Sequence, residues 1–345
     1  MTPAGRRSVP LDTVLSSLLI VLFFLGLVML LSASYAPGEA IGNPYFYIFR
    51  QLWHAGLGLI VMAVLWKVPY QFWLRMGPLI LAVSIFLLIL VLVPGFGITS
   101  GGATRWLAFA SIQPSELAKL AVVIYMAHFL SKKGELIHTL LHGFLPSFLV
   151  LCIFAVLILL EKDLGGALII LVLVMTSLFV AGVRIIYFGF AGLLAIPSVW
   201  GMINLFQYRL SRISAWMDPW SDPTKTGYSI IHSFYAFASG GLTGVGPGAS
   251  TQKLNFLPKV HTDYIFSVVG EELGFIGVAA VAGLFFALCC RGFKIARLAK
   301  DLGGFYLAPG LTLVVVLPAF LNMGVALSLW PCKGLPLPFF SYGGS

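Results

Sequence analysis

Apolar runs of roughly 20 residues, separated by short polar breaks, recur along almost the whole of this sequence. A helix of that length crosses the ~30 Å hydrocarbon core of a bilayer. The pattern predicts nine spans, at about 11–33, 46–66, 72–93, 113–131, 143–160, 164–182, 187–207, 264–290 and 305–330. Glu161-Lys162-Asp163 alone divides the fifth from the sixth, which leaves room only for a tight turn. Arg184 is the main break between the sixth and seventh. One stretch, 208–263, interrupts the rhythm. It opens with Arg209, Arg212 and Trp216-Met217-Asp218-Pro219-Trp220-Ser221-Asp222-Pro223, carries an amphipathic pattern over 229–238, and then a glycine-rich run from Gly240 to Gly248. The expected fold is an all-α, polytopic membrane helix bundle, one domain over 1–345, with 208–263 as a large extracytoplasmic loop within it.

Composition agrees with that pattern. Of the 345 residues, 59% are hydrophobic and 10% charged, where a soluble domain carries roughly 25% charged residues. Mean hydropathy is +1.00. The net charge of +9 is distributed as membrane topology requires, so it does not point to a nucleic-acid partner. With the N-terminus inside, the cytoplasmic segments hold Arg6, Arg7, Lys67, Arg75, Lys132, Lys133, Arg184, Arg291, Lys294, Arg297 and Lys300, whereas the short outer connections hold only Arg50, Arg105, Lys162 and Lys333. The first span, behind Arg6 and Arg7, is long for a signal peptide and reads as a retained signal anchor. Cys152, Cys289, Cys290 and Cys332 show neither disulfide nor zinc spacing. There is no internal repeat of the kind many transporters carry.

Candidate chemistry lies where hydropathy would forbid polar groups, because ionisable side chains in membrane segments are costly. Glu116 and Lys119 share a helix face at i and i+3 after Pro114, as a structural ion pair or as catalytic groups. Asp263 ends Leu257-Pro258-Lys259-Val260-His261-Thr262-Asp263 where the long loop enters an apolar span. Either Thr262 or Asp263 caps that helix, or the carboxylate stands in a partly desolvated pocket as a base. His261 reads as a hydrogen-bonded structural residue. Glu271 and Glu272 lie about 12 Å further along the helix and belong to a buried polar network. Arg105, Lys162, Arg209, Arg212 and Lys333 are outward-facing cations suited to phosphate or to lipid headgroups. Gly244-Val245-Gly246-Pro247-Gly248 lacks the setting of a dinucleotide fingerprint or a P-loop.

Taken in order, several motifs resemble the FtsW/RodA (SEDS) family. They are Gly102-Ala103-Thr104-Arg105-Trp106, Gln113-Pro114-Ser115-Glu116 with Lys119, Asp163-Leu164-Gly165, Gln252-Lys253-Leu254, His261-Thr262-Asp263, Gly270-Glu271-Glu272-Leu273-Gly274, Lys333-Gly334-Leu335-Pro336 and Ser341-Tyr342-Gly343-Gly344-Ser345. The likeness is greatest to the division branch. It implies a bundle of about ten helices that polymerises lipid II into glycan strands on the outer face of the bacterial cytoplasmic membrane, releasing undecaprenyl diphosphate. It also implies a class B penicillin-binding protein and other divisome proteins as partners, and a place at the division septum. By the same resemblance Asp263 is the essential carboxylate, able to act directly or through a divalent cation such as Mg or Mn, of which it is the single candidate ligand. Arg105, Glu116, Lys119, Lys333, His261, Arg209 and Arg212 become candidate substrate contacts.

Three positions depart from the family pattern. Lys259 stands where an acidic residue is usual, Lys162 replaces the usual proline, and Asn255 replaces a residue often acidic in the division branch. The sequence ends at Ser345, before the family's final helix. A lipid II flippase, an elongation-type polymerase and a non-catalytic division scaffold are the rival readings.

Overall fold

The computed structural model describes residues 12–100, 103–107, 113–204, 207–254, 256–331 and 334–343. Helix α1, Thr13–Ala40, starts at Asp12, whose carboxylate accepts from the Leu15 amide at 3.0 Å. It is followed by α2 (Phe46–Lys67) and α3 (Tyr70–Leu92), separated only by Val68 and the extended Pro69. Next come α4 (Pro114–Lys133), with proline in its first turn, and α5 (Leu145–Leu160). Helix α6 (Leu164–Val180) is capped by Asp163, which accepts from Gly166 N–H at 3.1 Å. The series continues with α7 (Ile185–Asn204), α8 (Gln207–Met217), α9 (Tyr228–Gly240), α10 (Ile265–Arg297) and α11 (Leu302–Ala326).

Every predicted span falls on a helix: α1 to α7, α10 and α11. Among the described residues six helical stretches are long and apolar enough to cross a membrane: α1, α2, α3, 140–160 around α5, α10 and α11. Helix α6 is apolar over a shorter length. The protein is a polytopic helical bundle. Two features depart from the purely helical expectation. Strands β1 (Gly97–Ser100) and β2 (Ala103–Leu107) pair as an antiparallel hairpin between α3 and α4. Helix α8 occupies the start of the 208–263 segment, where its charged residues hide it from a hydropathy pattern.

Two apolar cores share α11. One gathers Leu130 of α4, Phe154 of α5, Ile170 of α6 and Leu307 of α11. The other gathers Leu22 of α1, Val281 and Phe285 of α10, Val316 and Met323 of α11, and Phe340. Helix α2 buries none of its residues fully, and its Trp53, Leu57, Ile60 and Trp66 side chains face outward as they would toward hydrocarbon. Polar ties mark the two ends of the bundle. Arg291 pairs with Asp12 at 2.8 Å and Tyr70 Oη donates to Asp301 at 2.6 Å at one end. At the other, Trp216 Nε1 donates to the Ser328 carbonyl at 2.8 Å and Arg105 reaches the α5–α6 turn.

The glycine-rich run has a structural task. Helix α10 breaks at Gly274, with φ 64° and ψ −164°. The amides of Phe275 and Ile276, which would otherwise bond back along the helix, donate to the Gly241 and Leu242 carbonyls at 2.9 and 3.2 Å. The freed Glu271 and Glu272 carbonyls accept from Val245 and Gly246 at 3.0 and 3.1 Å. Segment 241–246 thus satisfies backbone groups that a broken helix leaves open. A Cβ at Gly244 (φ +81°) would collide with the Glu272 carbonyl, and one at Gly274 with the Gly244 amide. Gly244→Ala is expected to cost about 2 kcal/mol or more, seen as a lower thermal midpoint in detergent. Gly246→Ala, which faces open space, should lower it less.

Candidate active site

Asp263 sits at the end of a turn held from three sides. Lys259 adopts φ 52°, a left-handed conformation uncommon for a side chain of its size, and its carbonyl accepts from the Thr262 and Asp263 amides, each at 3.0 Å. Asn322 of α11 donates through Nδ2 to the Asp263 carbonyl at 2.8 Å and to the Leu335 carbonyl at 2.6 Å. The Tyr342 amide donates to His261 O at 2.8 Å, and Ser341 Oγ to Thr262 O. Residues 261–263 are therefore clamped between α11 and the 334–343 segment. Tyr264, not Asp263 or Thr262, stands at the N-cap of α10, without a side-chain cap bond. The capping reading is thus set aside.

The Asp263 side chain is one-fifth exposed, with the Lys259 ammonium 3.9 Å from Oδ2. Burial raises its pKa, opposed by Lys259, a hydrogen bond from Thr262 and the charge of Arg212. Gly334 lies against it so closely that a Cβ there would come within 3.0 Å of Oδ2. Lys333, the adjacent residue, lies outside the described residues, as do Asn255 and the side chain of Arg209. His261 packs its ring between Tyr47, 4.6 Å away, and Tyr342, 6.0 Å away, and burial lowers its pKa. Its buried Nδ1 has no hydrogen-bond partner, so ring packing holds it in place of the hydrogen bonding expected from the sequence.

The remaining candidates form two further groups. Arg105, on β2, donates from Nη2 to the Lys162 carbonyl at 2.7 Å and stands 3.9 Å from Asp163 Oδ1. Lys162 has φ 61°, which proline, fixed near −65°, cannot adopt, so this turn differs from one built on the usual family residue. The turn approaches the Asp263 segment through Gly165, which packs on Leu335. Glu116 and buried Lys119 pair with each other at 2.6 Å at the start of α4.

Glu271 and Glu272 form the expected buried network. Glu271 accepts from Ser250 Oγ, from Thr251 N and Oγ1 at 2.9 Å each, and from Gln252 N at 3.3 Å. Glu272 Oε1 accepts from Lys253 Nζ at 2.8 Å and Ser32 Oγ at 2.6 Å. Lys253 also donates to the Gly248 carbonyl at 2.7 Å. Two important residues were not among the candidate site residues, although Lys253 belongs to the quoted Gln252-Lys253-Leu254 motif. Asn322 is the lone amide in the apolar run of α11, a signal that was available; the place of Lys253 could not be read, because its partners are distant in sequence.

A divalent cation at Asp263 would draw its other ligands from substrate phosphate and water, because no second acidic side chain converges there among the described residues. Among the described residues no group of three or more His, Cys, Asp or Glu side chains converges on one point. Such ions need several oxygen ligands, and the nearest charged group to Asp263 is a cation.

A sequence profile of the FtsW, RodA and SpoVE family, described as cell cycle proteins, matches residues 12–345. This chain belongs to the FtsW/RodA/SpoVE family. A relative in Geobacter sp. (strain M18), named "Probable peptidoglycan glycosyltransferase FtsW", is 40% identical over 99% of this chain and 94% of its own length. Stage V sporulation protein E of Bacillus subtilis is 38% identical over 97% of this chain and 92% of its own. Two solved structures share the fold of this FtsW/RodA/SpoVE member. One, described as structural coordination of polymerization and crosslinking by a peptidoglycan synthase complex, superposes with a TM-score of 0.79 at 31% identity, covering 98% of this chain and 93% of that one. The other, rod shape determining protein RodA of Thermus thermophilus, gives 0.70 at 27% identity, covering 97% and 91%.

Removing the cation from the buried pair tests the network's weight. Lys253→Met is expected to cost about 3–5 kcal/mol, because Glu272 is left buried without its partner. The double variant with Glu272→Gln should recover part of that loss in the thermal midpoint.

Proposed function

We propose that this chain polymerises lipid II into peptidoglycan glycan strands at the outer face of the cytoplasmic membrane during cell division, releasing undecaprenyl diphosphate. It is a peptidoglycan glycosyltransferase, the activity named for its FtsW relatives. The observation that carries the reading is the seat of Asp263: a carboxylate at the mouth of an apolar bundle, held through its backbone by Asn322 and tuned by burial against two nearby cations. The helix pattern supports nine spans with the N-terminus in the cytoplasm and the 208–263 segment outside. The structure in which polymerization and crosslinking are coordinated supports a crosslinking partner, which we assign as a class B penicillin-binding protein among other divisome proteins at the septum.

In the proposed step Asp263 takes the proton of the acceptor sugar hydroxyl. That oxygen bonds to the anomeric carbon of the donor, and the carbon–oxygen bond to the diphosphate breaks. Arg105, Arg212 and Lys333 stabilise the charge that collects on the diphosphate, an effect that grows where water is excluded. Glu116 and Lys119 pair at the start of α4, Arg209 is assigned to the substrate contacts by the family resemblance, and His261 packs within the turn that carries Asp263. No step is routed through a metal ion.

The test is glycan-strand formation from purified lipid II in detergent, with the cognate penicillin-binding protein present. The native chain should give polymer, and Asp263→Asn should slow it by about 10²–10⁴-fold. Polymer at an undiminished rate from the variant would remove the base role; no polymer from the folded native chain would favour the flippase. The pH profile supplies a second check. A base works only when ionised, so activity falls as pH drops through the raised pKa of Asp263. Lys259 opposes that rise. Lys259→Ala should therefore move the acid limb to higher pH.

A further inference from the structure

The α5–α6 turn holds a group that the proposed mechanism does not use. Glu161 is fully buried, and neither carboxyl oxygen has a hydrogen-bond partner. Leaving such a group unpaired is costly, more so when it is charged. Beside it stands a second orphan, the buried Nε–H of Arg105, a residue whose Nη2 is already taken by the Lys162 carbonyl. The guanidinium is near enough for its charge to act on Glu161, yet the two make no ion pair. A carboxyl and a guanidinium thus lie within electrostatic reach of each other without pairing.

An open pair of this kind persists when the acid is neutral. We propose that Glu161 is a positioning residue for Arg105: as a neutral carboxyl it leaves the guanidinium free for the diphosphate of the lipid substrate, and on ionising it draws Arg105 into a buried pair and closes that seat. The inference rests on the polymerase reading for the identity of the ligand, a lipid-linked diphosphate. The charged groups facing Glu161 are Arg105 on β2 and Asp163 in its own turn; Lys162 between them points outward, and Lys333 lies outside the described residues. Burial and the neighbouring Asp163 push Glu161 up to about 8, against the opposing Arg105. The neutral form therefore prevails at neutral pH and gives way just above it.

Geometry favours Arg105 as the moving part. Its side chain is one-third exposed, and its contact with Asp163, at 3.9 Å, is long. Asp163 is committed to capping α6, and Glu161 is fixed at the end of α5, its amide donating to the Leu157 carbonyl. A short turn of the guanidinium exchanges an outward anion for the buried one.

The experiment is direct binding of undecaprenyl diphosphate to the purified full chain in detergent micelles, from pH 7 to pH 9. Because only the neutral form of Glu161 leaves the seat open, the apparent Kd should rise about tenfold over that interval. Glu161→Gln cannot ionise, so its Kd should stay flat; any titration of the probe itself is common to both chains. Should that variant fail to fold, Arg105→Ala provides the alternative, with weaker binding and a flat profile. A flat profile in the native chain, or a rise that survives in Glu161→Gln or Arg105→Ala, would overturn the proposal. Binding needs no turnover, so a chain that binds with this pH dependence but makes no polymer would refute the polymerase reading and leave the role of Glu161 standing.

Discussion

Two carboxylates near the start of an apolar helix set the terms for the part of the protein around Asp263. Glu271 and Glu272 are buried, and a bilayer has no water to satisfy them. Segment 250–253 supplies the donors, with Lys253 as the cation and Ser32 of α1 closing the ring. A few residues earlier, 241–246 bonds into the break at Gly274. The long segment between α7 and α10 is thereby fastened to the bundle at two adjacent points. Its descent toward Asp263 starts from a fixed place.

From that anchorage the position of Asp263 follows. Residues 257–264 join the second apolar core through Leu257, Val260 and Tyr264. Asn322 then bonds at once to the backbone of Asp263 and to Leu335. A carboxylate on a loop would ordinarily be mobile; here its backbone is held by a side chain that is itself locked in a packed helix. Rigid backbone and a partly exposed side chain coexist at this turn because packing ends on one side of it.

Much of the fold was legible in the sequence because the bilayer imposes a length and a polarity that few other patterns share. The apolar runs located helices α1 to α7, α10 and α11, and the amphipathic pattern at 229–238 anticipated α9. What escaped has physical causes. The hairpin at 97–107 rests on pairing between short strands, one of them ending at Ser100 beside glycines, which gives no lasting alternation to read. Helix α8 is too polar to register in hydropathy. In the site, residue type left Asp263 undecided between cap and base; the resemblance chose the base, and the placement of Tyr264 at the helix start removed the cap. Arg105 was expected among the outer cations, but its tie to the α5–α6 turn depends on a left-handed Lys162 that sequence does not announce.

The same residue type takes opposite parts in this molecule, and the difference lies in what faces it. Glu271 is surrounded by hydroxyls and amides that all donate to it, so it serves as a fixed structural anion. Glu161 is as deeply buried but receives none. A fully satisfied anion has no reason to change its protonation or its partner, whereas an unsatisfied one gains from doing either. Buried charge in a membrane protein thus separates into groups that hold the structure still and groups whose incomplete bonding leaves them able to respond when a charged substrate arrives. Bonded carboxylates in α10 and an unbonded one in the α5–α6 turn show that division within a single molecule.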